Sequence, residues 1–274
     1  SVGQRTTRRT AAHDHVVVST CVICFGQDGS PYFLRRFCLK KPPRTRLSLE
    51  KAPSVFYAMN YSPTKPLFRG VSHRVAFTSA LTLAPLMIVK APGVGPRFII
   101  ALYSLSVVAL FGVSALYHRI DWSPSKKTLM QKIDHITIFV AIAATYTPVA
   151  VFVLSPWAGT LVLWVVWLGA ASGIVIYLRF PHAPNWAVAL PYLIIGWSLL
   201  PVITDAWHQL GVAAFLLLLL GGLLYTGGAL IFAFQKPNPW PGTFGFHEVF
   251  HLCTIVGAIL HYITIAFFVL PKAG

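Results

Sequence analysis

The chain has 274 residues, 56% hydrophobic and 11% charged, with a mean hydropathy of +0.68. That is too apolar and too poor in charge for a soluble domain with a solvated surface, so the chain reads as a polytopic membrane protein. The formal charge of +15 does not point to nucleic acid: 10 of the 22 basic residues precede Met59, and most others stand at the ends of apolar segments, which is a membrane-topology pattern.

Residues 1–66 are expected to be a basic, disordered extension, with Met59 as an alternative start of the chain and an arginine-rich targeting peptide as a minor alternative. Val16 to Phe25 resembles a weak signal h-region, but acidic Asp14 beside it and the lack of a small-residue cleavage site argue against one. Cys21 and Cys24 form a single Cys-x-x-Cys with only Cys38 to help, too little for a zinc finger.

From residue 67 onward the pattern changes. A helix needs about 20 apolar residues to cross lipid hydrocarbon. Seven stretches meet or approach that length: His73 to Lys90, Arg97 to Tyr117, Lys132 to Leu154, Ala158 to Leu178, Trp186 to Thr204, Gly211 to Phe234 and Phe246 to Leu270. Breakers separate them, among them Ser123-Pro124, Ser155-Pro-Trp157 and Phe180-Pro181. The expected fold is an all-α, seven-helix transmembrane bundle spanning 67–274. Arg119, Lys126, Lys127, Lys132, Arg179 and Lys236 gather on one side and only Lys90, Arg97 and Lys272 on the other, so the amino terminus is predicted cytoplasmic and the carboxyl terminus outside.

That topology brings a set of polar residues to one depth. His118 ends the second span at the inner face, Asp134 and His135 open the third, and His247 and His251 open the seventh. A spacing of four puts His247 and His251 on one helical face about 6 Å apart along the axis, and does the same for Ser114 and His118. Ionisable groups are costly in hydrocarbon and mark sites by default. Three imidazoles leave one tetrahedral position open, the layout of a catalytic zinc. The ordinary reading of any one of them is an interfacial histidine bonded to a carbonyl or a lipid phosphate. Asp134 suits proton transfer, against the ordinary role of an ion pair with Lys132 or an arginine. Glu248 resembles the zincin glutamate only superficially and is expected at the surface or orienting an imidazole. His261, about 15 Å along the helix from His251, is too distant to share an ion and is expected to be a buried, hydrogen-bonded histidine.

From Leu67 to the end the chain resembles the bacterial hemolysin III proteins, which are similar to the adiponectin and progestin receptors. The landmarks are Ser114-Ala-Leu-Tyr-His118, Asp134-His-Ile-Thr-Ile followed by Ala144-Thr-Tyr-Thr-Pro148, and Gly245-Phe-His-Glu-Val-Phe-His251 with His261. The resemblance implies a zinc ion held at His118, His247 and His251, with Asp134 beside the metal-bound water and Ser114 one turn away. It implies residence in a bacterial plasma membrane and action on lipid amides, because the wider group includes ceramidase-like hydrolases. His135 matches the bacterial pattern and not the receptor one. Three functions follow: a zinc hydrolase using Asp134 and Ser114, a zinc-stabilised receptor or signalling protein, and a cytolysin. The pore reading is the weakest, since ionisable groups collect at one side while the outer halves are Leu, Val, Ala and Phe. Membrane lipids are the expected partners, with a lipid as substrate or ligand.

Overall fold

The computed structural model describes residues 66–180 and 183–274, together with the backbone alone at 24–25 and 31–32. Contacts divide the chain into two units, Ser1–Met59 and Asn60–Gly274. In the first, Cys24–Phe25 pairs antiparallel with Pro31–Tyr32. The expectations for a disordered extension, a start at Met59, a leader and the amino-terminal cysteines otherwise concern residues outside those described.

Among the described residues of the second unit, eight α-helices make seven crossings. They are α1 (Val71–Lys90), α2 (Val94–Arg119), α3 (Pro124–Phe152), α4 (Pro156–Arg179), α5 (Asn185–Gly196), α6 (Ile203–Leu210), α7 (Val212–Phe234) and α8 (Phe246–Thr264). Among the described residues seven helical stretches are long and apolar enough to cross a membrane, and the chain is a multi-pass membrane protein. Large side chains point away from the bundle: Trp164, Val175, Ile194 and Phe267 are each more than 60% exposed. In water such a surface would be an aggregation hazard; in lipid it is the solvated face.

The helix starts follow local chemistry. Ser123 and Ser155 precede prolines, which occupy the first helical position of α3 and α4, where a missing N–H costs nothing. Helix α3 therefore begins at Pro124, two turns ahead of the start expected at Lys132, because hydrophobicity marks the membrane segment and not the helix that contains it. The fifth crossing is not one helix. It breaks after Gly196, passes through a 3-10 turn at Leu200–Val202 and resumes as α6. Pro201 has no N–H to continue the ladder. The Gly196 carbonyl freed by the break finds a partner, as it must in lipid: Tyr146 Oη donates to it at 2.5 Å, and beside it the Trp197 side chain donates from Nε1 to Thr226 Oγ1 at 3.1 Å.

Successive helices α1 to α4 pack on one another, α5 bridges α4 and α7, and α8 packs on α7 and returns to α1. Small residues set the close approaches. A β-carbon at Gly159 would lie 2.3 Å from the Ala150 carbonyl oxygen, and one at Gly173 would lie 2.2 Å from the ring of Phe139. The first obstacle is backbone and cannot swing aside. Gly159→Ala is accordingly expected to destabilise the bundle by about 1–3 kcal/mol, read as a lower melting temperature in detergent; an unchanged melt would mean the α3–α4 turn shifts freely.

Candidate metal centre

Helix α2 delivers Ser114 and His118 from its last two turns, α3 delivers Asp134 from its third turn, and α8 delivers His247 and His251 from its first two. His251 and His118 are buried and His247 is half-buried. The ligand nitrogens of these three histidines all lie within 4.8 Å of one another, and among the described residues this is the group arranged to hold a metal ion. Nε2 of His118 and Nε2 of His247 are 3.2 Å apart. At that separation either one nitrogen donates to the other, or both lone pairs face a shared cation. The three rings are mutually inclined, with centroids 4.5 to 5.1 Å apart and interplanar angles of 59° to 74°. Inclined rings let three nitrogens converge, whereas parallel stacking would aim them side by side.

Asp134 is buried, and the polar side chain nearest its carboxyl is the neutral hydroxyl of Ser114 from α2. Asp134, His247 and His251 all line one cavity. The cavity continues along α3 through Ile138, Ile142 and Thr145 to Val149, which is 15 residues beyond Asp134 and therefore roughly 22 Å away at 1.5 Å per residue. Thr145 turns its hydroxyl back to the Ala141 carbonyl at 2.7 Å, so beyond the histidines this wall presents mainly carbon.

His135 and Glu248 stand apart from the cluster. His135, at the same depth, does not join the cluster: it lies about 100° around α3 from Asp134, stacks on Tyr177 at 4.7 Å, and pairs through Nδ1 with the Gln131 carbonyl at 2.9 Å. Glu248 is neither a surface residue nor an imidazole's partner. It is 2% exposed, accepts the Gly245 N–H at 2.8 Å to cap α8, and takes a hydrogen bond from Arg69 Nε at 2.5 Å. His261 behaves as expected, donating from Nε2 to the Leu218 carbonyl at 3.1 Å.

One histidine was missed. His73 of α1 is 3% exposed and stacks on His251 with ring centroids 3.7 Å apart and planes 14° apart. Its sequence neighbourhood offers no histidine at i±3 or i±4, but its depth at the start of the first span was a usable signal.

The family model described as "Haemolysin-III related" matches residues 61–262. The chain belongs to that family. It is 33% identical over 172 residues to "Hemolysin-3" of Bacillus cereus, covering 63% of this chain and 75% of the relative. It is 28% identical over 204 residues to "Hemolysin-3 homolog" of Bacillus subtilis, covering 72% and 91%. With the human "Monocyte to macrophage differentiation factor" it shares 31% identity over 173 residues, covering 60% and 67%. The matched region of this haemolysin-III related protein includes all three clustered histidines, Ser114 and Asp134.

Proposed function

We propose that this haemolysin-III related protein is a zinc-dependent hydrolase of lipid amides, with its centre at the cytoplasmic side of the membrane, in a bacterium the plasma membrane. The observation that carries the reading is a cluster of three convergent imidazoles, two of which, His247 and His251, line one long apolar cavity together with the buried carboxyl of Asp134. Imidazole is a favoured zinc donor, and zinc–nitrogen bonds of 2.0–2.1 Å in a tetrahedron put neighbouring donors about 3.3 Å apart. The 3.2 Å between the two Nε2 atoms fits that edge, and the buried Nδ1 of His251 has no hydrogen-bond partner. His118, His247 and His251 would hold the ion, whose chemistry when bound is Lewis acidity toward a carbonyl oxygen and a lowered proton affinity of water.

The remaining work falls to the chain. Asp134 accepts the proton of the attacking water and returns it to the departing amine nitrogen, while Ser114 fixes the carboxyl's orientation. The carbon-lined cavity takes the acyl chain and excludes bulk water, which strengthens every electrostatic contact at its head. The test is fatty-acid release from a panel of lipid amides by the purified chain, followed by mass spectrometry. Release that stops on chelation and returns with zinc supports the hydrolase. Zinc retained without release across the panel would replace it with the second reading, a zinc-stabilised receptor, which is favoured by the fact that the ligands tie α2 to α8. A lytic pore draws no support from a cavity whose walls beyond the histidine cluster are mainly carbon.

A further inference from the structure

We infer that His73 is a positioning residue of the metal centre, holding the His251 ring in its ligating orientation, and that the turn before α1 is built to keep it there. This rests on the metal-binding reading of the histidine cluster. His73 is not one of the three convergent histidines; it contacts one of them face to face. An imidazole attached by two rotatable bonds can turn about the second unless something lies flat against it. The His73 ring, at 3.7 Å and 14° from that of His251, blocks this rotation on one side. His73 is itself backed edge-on by Phe111 of α2, with centroids 5.2 Å apart.

Helix α1 is otherwise peripheral, its buried residues besides His73 being Ala84 and Met87. What brings its first turn to the centre is the five residues ahead of it. The N–H groups of Leu67 and Phe68 donate to the carbonyls of Gly242 and Thr243, each at 3.2 Å, tying the strap to the loop that leads into α8. Arg69 binds Glu248, whose other oxygen caps α8 at Gly245. Gly70 has φ 75°, and a β-carbon there would lie 2.7 Å from the β-carbon of His118, so only glycine lets the strap close onto α2. Consecutive residues thus register against both ligand-bearing helices before the chain places His73 on His251. This is support for ligand orientation from outside the ligand set; hydrogen-bonded supports of a ligand tune metal affinity 10- to 100-fold, and a stacked ring acts on the same orientation.

The experiment compares the purified full chain with His73→Leu and His73→Phe, measuring zinc content and zinc transfer to a competing chelator, with the cobalt-substituted absorption spectrum as a second readout. Leucine fills the space without a flat face, whereas phenylalanine keeps the face. The inference expects His73→Leu to bind zinc roughly 10- to 100-fold more weakly, with a broadened cobalt band, and His73→Phe to stay within a few-fold of the parent. Equal affinity in all three would overturn it, as would equal loss in both variants, which would make the ring nitrogens and not the ring face the operative part. Gel-filtration and melting profiles matched to the parent identify an effect on the centre, while zinc loss only with loss of fold overturns the positioning role. A parent chain that holds no zinc defeats the underlying metal reading instead.

Discussion

Zinc should be lost from the purified protein when His251 becomes alanine. Structural zinc sites are worth about 10–16 kcal/mol, so one donor of four carries on the order of 3 kcal/mol, and its loss weakens binding by roughly two orders of magnitude or more. His251 is 1% exposed and sits among His73, His118 and His247, so its ring is held within the cluster on several sides. Because an ion binding only the folded state adds stability by mass action, zinc should raise the melting temperature of the parent and not of the variant. His261→Ala is the matched control on the same helix. It removes an imidazole bonded to the Leu218 carbonyl and should leave metal content intact. Full zinc occupancy in His251→Ala would remove the cluster as the binding site.

Asp134→Asn should separate binding from chemistry. Asparagine keeps the shape of the side chain and can still accept the Ser114 hydroxyl's hydrogen bond, but it cannot take a proton. Zinc content should match the parent while the rate of amide hydrolysis falls about 10²- to 10⁴-fold, the usual contribution of a placed general base. A loss confined to kcat, with KM nearly unchanged, would place the effect in the transition state. A variant that hydrolyses lipid amide at the parental rate would dismiss Asp134 as the base.

The seven crossings and the convergence of His118, His247 and His251 were legible in the chain because each rests on a local pattern: a run of carbon or a spacing of four. Contacts between remote segments were not. Glu248 looked like a surface residue because nothing near it in sequence shows that Arg69, 179 positions earlier, reaches it. His73 escaped notice for the same reason, although the depth argument that gathered the other histidines applied to it equally. His135 shows the limit of that argument, since depth fixes a residue's level in the membrane and leaves its azimuth open. The break in the fifth crossing was half visible in Gly196 and Pro201, but apolar residues run through it without pause.

His118 and His247 lie 129 positions apart and meet at 3.2 Å. All three clustered histidines lie between positions 118 and 251, so a break in the chain between α2 and α8 separates one imidazole from the other two. Capture of a metal by this cluster would thus report that the seventh crossing has come to rest beside the second.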